Sequence, residues 1–311
     1  MKKIILINFI LIISFFLIFE IFLRVFNLSS LRGMSEYYFF NNKNIEGKAF
    51  GIKFFTDEYG FRVPQINYKY NSKNKNIILI GDSFVFGPGV KEVNTFAGKL
   101  RKYKTTHNVF NSSRPGNNLN DYFNDVKFFT ENFEENQFYI FLNFDDIKFY
   151  KNQNIKSEVL NKKFQSIRDI KILNKINIFL RSRLYSYIWL VSVTTNPIKR
   201  YYDASEYLYK EKSLINQFSD DILKITNYIA NKNSRVVFLI TPYNYQIKKN
   251  CNQKNLTPQK KLSEVFKINK INFYDFTGSF CSENIDLFIK FDPTHLSKKG
   301  HEIVYNYLKK K

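Results

Sequence analysis

Short runs of uninterrupted apolar residues, separated by longer amphipathic stretches, constrain the fold of this 311-residue chain most. "NIILI" (Asn76 to Ile80), "QFYIFLN" (Gln137 to Asn143) and "SRVVFLITP" (Ser234 to Pro242) are the clearest, with shorter ones at "HNVFN" (His107 to Asn111) and "INFYDF" (Ile271 to Phe276). A strand wet on one face alternates apolar with polar residues, whereas a run without polar breaks is buried on both faces. The intervening segments carry helical spacing: Asn94 to Tyr103, about Asn118 to Phe129, about Ser213 to Asn231, and a closing helix over "LSKKGHEIVYNYLKK". Strand–helix alternation of this kind predicts an α/β domain with a parallel sheet covered on both faces and right-handed crossovers.

The amino terminus predicts something else. From Ile4 to Phe26 only Asn8, Ser14, Glu20 and Arg24 interrupt an apolar run, and a bilayer span needs about 20 such residues. A cleaved signal peptide has a shorter apolar core and a small-residue cleavage site, which does not follow here. Glu20 and Arg24 are four residues apart and can pair on one helix face. The segment reads as an uncleaved, single-pass anchor over residues 1–27 in the inner (cytoplasmic) membrane. Residues 28–73 then form a connecting segment, in which Tyr59-Gly60-Phe61-Arg62 reads as a turn with an aromatic anchor. The domain over residues 74–311 is expected outside the cytoplasm, because long domains translocate largely regardless of charge.

The net charge of +21 favours polyanionic surroundings. Its lysines are scattered and accompany no recognition motif, so nucleic acid is not an expected partner. Cys251 and Cys281 form either one disulfide in an oxidising compartment or two ordinary thiols, and their spacing matches no zinc site. A large insertion, about residues 146–210, separates the third and fourth strands. Its apolar stretch Ile176 to Val193 is broken at Arg181, Ser182 and Arg183 and is not a second span. It reads as a helix packed on the core or over the rim of a site, with a lid or a surface on the membrane interface as the functional alternative.

Two places carry chemistry. The first strand runs into Gly81-Asp82-Ser83, and ligands of an open parallel sheet bind beyond the carboxyl ends of its strands. Alone, Gly-Asp-Ser is an ordinary turn or helix cap. Far downstream, "FDPTHLSKKGHEIV" places Asp292 three residues before His295, close enough for a carboxylate to fix one imidazole nitrogen and leave the other facing outward. Of the three histidines, His107 opens a strand without an obvious acid neighbour, and His301 sits within the final helix, where a surface or core histidine is the ordinary case. A serine needs a base within hydrogen-bond reach to become a nucleophile, and this topology brings Ser83 and His295 to one sheet end.

"IILIGDSFVFGPGV" and "FDPTHLSKKGHEIV" together resemble the SGNH/GDSL hydrolase superfamily, and "HNVFNSSRPGNNLNDY" looks like its second block. The resemblance implies a three-layer α/β/α, flavodoxin-like domain. "TDEYGFR" and the anchor resemble a membrane-anchored subgroup associated with bacterial cell-surface polysaccharides. The implied roles are Ser83 as nucleophile, His295 as base and Asp292 as its orienting acid. The implied oxyanion donors are the N–H groups of Ser83 and Gly116 and a third-block asparagine. No cofactor or metal is implied. The third block departs from the family's Gly-x-Asn-Asp: Asn143-Phe144-Asp145-Asp146 puts Asp145 where the asparagine stands, with Asn143 the nearest substitute donor. The expected function is a membrane-anchored serine esterase or O-acyltransferase acting on an acylated cell-envelope glycan. The alternative is a catalytically weakened protein of the same fold that binds glycan without turnover.

Overall fold

The computed structural model describes residues 2–26, 43–148, 150, 176, 179–180, 183–194, 196–232, 234–283, 286–290 and 292–311. Much of the insertion, including 151–175, lies outside the described residues. The chain begins with helix α1 (Lys2–Val25), whose apolar side chains are mostly exposed and which is long and apolar enough to cross a membrane. A small antiparallel sheet follows, in the order β1 (Glu46–Ala49), β2 (Ile52–Thr56), β3 (Arg62–Val63).

The main sheet holds β4 (Lys75–Ile80), β5 (His107–Asn111), β6 (Asn136–Leu142), β7 (Arg235–Ile240) and β8 (Phe273–Asp275). All neighbours are parallel, in the order β5-β4-β6-β7-β8. Counted from β4, this is the flavodoxin-like order 2-1-3-4-5, and its topological switch point lies between β4 and β6.

The pleat of β4 shows why the strand has no polar break. Ile78 and Ile80 face one layer, built on α4 (Leu119–Asn132), α7 (Lys212–Ala230) and α9 (Thr257–Ile268). Ile77 and Leu79 face the other, built on α3 (Phe96–Tyr103) and α11 (Lys298–Leu308). Removing each such side chain from water is worth about 2 kcal/mol, so both faces drive the same arrangement. Between β6 and α7 lie α5 (Tyr185–Thr194) and α6 (Pro197–Glu206). Two short helices, α8 (Asn244–Lys248) and α10 (Thr277–Cys281), flank α9, and Cys251 and Cys281 pair as a disulfide with Cα atoms 6.1 Å apart.

The predicted strands and helices of the domain coincide with these elements to within a few residues. Sequence reading did not anticipate α9 or the three-stranded sheet of β1 to β3. The predicted turn is present: Asp57 closes it on Phe61, and Phe61 stacks on Phe129 at 5.3 Å.

Candidate active site

The sequence after β4 leaves little choice of conformation. A Cβ on Gly81 would lie 2.4 Å from Val85, so only glycine allows the chain to turn this tightly off the strand. The turn opens α2 (Ser83–Phe86), capped by Asp82, whose carboxylate accepts from the Phe84 N–H at 2.8 Å. Gly87 ends the helix at φ +75°, where a Cβ would also press on His301. Ser83 is thus at the first position of a helix, beyond the carboxyl end of β4 and at the switch point.

Arg62 holds this loop from beneath. It is buried, and its guanidinium donates to the carbonyls of Phe86 (2.5 Å), Gly87 (2.6 Å) and Val90 (2.6 Å). Burial lowers its pKa to about 10, which leaves it charged at neutral pH. Its own sheet contributes a second contact: Phe50, between β1 and β2, sets its ring edge-on to His295 at 5.3 Å.

The loop before α11 brings an imidazole to Ser83. Asp292 is buried, and one carboxylate oxygen accepts from the N–H groups of Thr294 (2.8 Å) and His295 (2.7 Å). Its other oxygen lies 2.8 Å from His295 Nδ1, and His295 Nε2 lies 2.9 Å from Ser83 Oγ. Asn244 braces the loop, donating its amide to the Asp292 carbonyl at 2.6 Å and its N–H to the Pro293 carbonyl at 2.9 Å. Burial alone would raise the pKa of Asp292. The neighbouring imidazole and the hydrogen bonds from His295 and Thr294 outweigh it, and the net shift is downward. His301 is buried, accepts from the Phe96 N–H and is held neutral by burial, with a pKa near 3.

On the opposite flank, the turn after β6 is acidic. Asn143 is buried; its amide donates to Asp82 at 2.8 Å and its N–H to Asp146 at 3.0 Å. Asp145 accepts from the hydroxyls of Tyr201 and Tyr243 and lies 3.5 Å from the Lys148 ammonium. Burial, and then the Asp145 carboxylate, push both phenols well above their usual range, so they keep their protons and donate. Asp82, Asp145 and Asp146 offer oxygens within 4.8 Å of one another. Burial, then the Asp145 charge, raises Asp82 to about 6; burial, then Asp82 and Asp145, raises Asp146 well above the carboxylate range. Each carboxylate is taken by protein donors, so the cluster is an internally hydrogen-bonded group. Gly116, at φ +89° in the exposed turn before α4, has open space around it.

Ser83, Asp292 and His295, named from sequence, are therefore brought into one hydrogen-bonded line. Asn143 and Asp145 lie on the neighbouring turn with their polar groups already engaged. Sequence reading missed Arg62, Asn244, Tyr201 and Tyr243. Arg62 lies inside the Tyr-Gly-Phe-Arg turn that was noticed, where an arginine amid apolar residues was the available signal. Tyr201 is 56 residues from Asp145, and nothing local announces it.

No protein-family model matches the sequence, and a search of curated proteins finds no match. Among solved structures, the chain is similar to a member of the lipolytic G-D-S-L family from Veillonella parvula, at 12% identity and TM-score 0.41, covering 75% of this chain and 94% of that one. A second is a protein assigned to the same family from Desulfitobacterium hafniense, at 13% identity and TM-score 0.44, covering 76% and 99%. A third is the lipase/acylhydrolase from Enterococcus faecalis, at 12% identity and TM-score 0.42, covering 76% and 94%.

Proposed function

We propose that the protein is a serine esterase or O-acyltransferase of the SGNH type, anchored in the inner membrane through α1 and acting outside the cytoplasm on the acyl groups of a cell-envelope glycan. The single observation that carries this reading is the line Ser83 Oγ, His295 Nε2, His295 Nδ1, Asp292, with contacts of 2.9 and 2.8 Å. Ser83 Oγ attacks the ester carbonyl as its proton passes to His295 Nε2. Asp292 stabilises the imidazolium, which returns the proton to the departing alkoxide. The acyl-enzyme is then released to water, or to a hydroxyl of a second sugar, by the same steps in reverse. The oxyanion is met by the N–H groups of Ser83 and Gly116, each such donor being worth roughly 3 kcal/mol. The disulfide supports an oxidising compartment, and the net charge of +21 suits an acidic polysaccharide.

The second reading, glycan binding with weak turnover, is favoured by one observation: Asp145 occupies the position of the third oxyanion donor, and Asn143 has its amide on Asp82. Full-length protein in detergent, treated with a fluorophosphonate and mapped by mass spectrometry, separates the two. Labelling of Ser83 that is lost in His295→Ala supports the enzyme. A folded protein that takes no label leaves the binding reading.

A further inference from the structure

Helix α5 lies in the middle of the insertion and carries no charged residue over Tyr185–Thr194, with apolar side chains around its circumference. None of it joins the two main cores of the domain. It packs instead on the last turns of α1. The Glu20 carboxylate accepts from the N–H groups of Tyr185 (2.9 Å) and Ser186 (2.8 Å), capping the amino end of α5 from another helix. Arg24 donates to the Arg183 carbonyl at 2.5 Å and lies 4.8 Å from the Tyr185 ring, and Trp189 meets Phe19 edge to face at 5.2 Å. Residues 183, 185 and 189 thus face 24, 20 and 19 in turn, so α5 runs back along α1 towards the middle of its apolar length. Leu190 and Val193 remain about half exposed, at 51% and 54%, beside the equally exposed surface of α1.

Taking α1 as the membrane anchor proposed above, we infer that α5 enters the same bilayer as a half-span helix paired with the carboxyl-terminal half of α1. Ten residues rise about 15 Å, half of a hydrocarbon core of about 30 Å. In that setting backbone groups at a helix end have no water and must find partners within the protein. Glu20 supplies them at one end of α5. Within α5, Thr194 keeps its own hydroxyl satisfied by donating to the Leu190 carbonyl at 2.7 Å. The pairing also accounts for a carboxylate inside an apolar span, since Glu20 is neutralised by Arg24 at 2.8 Å and by the capped N–H groups. From α5 the chain enters α6, which carries Tyr201 to Asp145. The bilayer is thereby linked through α6 to the turn beside Ser83.

Trp189 is the one tryptophan of the chain and reports directly. Full-length protein would be reconstituted into phosphatidylcholine vesicles, with flotation as the measure of anchoring. Trp189 emission would then be challenged with lipids brominated mid-chain and, separately, with aqueous iodide. Several-fold stronger quenching by the brominated lipid, and a blue-shifted emission, are expected. Protein that floats while Trp189 is quenched mainly by iodide overturns the inference and leaves the anchor standing. Protein that does not float overturns both. In the double variant Leu190→Asp, Val193→Asp, lipid quenching should fall several-fold with flotation retained; undiminished quenching would show that this face meets no lipid and would overturn the inference.

Discussion

On one flank of Ser83, a loop of four residues from Asp292 to His295 fixes a carboxylate against an imidazole. Two N–H groups fix one Asp292 oxygen, the imidazole takes the other, and Asn244 clamps the carbonyls of the loop. On the other flank, the turn from Asn143 to Asp146 brings three carboxylates together and spends its amides and tyrosines on holding them. The first flank aims a hydrogen-bonded imidazole at Ser83, and the second engages its carboxylates with donors of its own. Burial raises Asp82 and Asp146, whereas the imidazole and N–H donors lower Asp292, although all three are buried. Partner chemistry, more than depth, decides which carboxyl carries charge.

The sharpest way to break this contrast is on the imidazole flank. Ser83→Ala should lower hydrolysis of p-nitrophenyl acetate by about 10⁶-fold, and Asp292→Asn by about 10⁴-fold. A smaller loss in Asp292→Asn than in any variant of the acidic turn would invert the assignment. Next comes Asp145→Asn, which restores an amide donor where negative charge would develop. It should raise kcat by about 10²-fold with KM little changed; an unaltered kcat would place the oxyanion elsewhere.

Stability tests the same division. Arg62→Met leaves the carbonyls of Phe86, Gly87 and Val90 without their donor. It should cost about 3 kcal/mol in urea unfolding, and a value within error of wild type would remove the clamp. The smallest effect concerns Asp82. Its folded pKa, about 6, lies above the 3.8 of an ordinary aspartate, so the folded state holds a proton that the unfolded chain releases. The stability from this group is complete below about pH 4 and declines as pH rises to about 6, by a total of about 3 kcal/mol. Asp82→Asn should flatten that decline; a slope of opposite sign in the wild type would mean that Asp82 is charged throughout.

The parallel sheet was legible because strands such as Ile77 to Ile80 are buried on both faces and carry no polar break. The hydrogen-bonded line of Ser83, His295 and Asp292 was legible because Asp292 and His295 are three residues apart and a Gly-Asp-Ser closes the first strand. The small sheet was not legible: β1 is Glu-Gly-Lys-Ala, with no pattern of its own, and it forms because Phe54 and Phe86 pack across it. Helix α9 had signals that were passed over, a proline at its start and Leu262, Val265 and Phe266 on one face. The tyrosine cradle of Asp145 joins segments far apart in the chain, and long-range contacts of that kind leave no local mark.

Arg62 has a practical bearing on where the folded module begins. Its guanidinium, and Phe50 beside His295, both belong to the stretch between the apolar helix and the first parallel strand. A fragment trimmed to start at Asn74 would keep Ser83, Asp292 and His295 and lose the scaffold under the Ser83 loop. One that starts ahead of Ile45 retains the hairpin whole. The stem is thus a structural part of the module that carries Ser83, and a version of this protein without α1 has its natural cut point between α1 and β1.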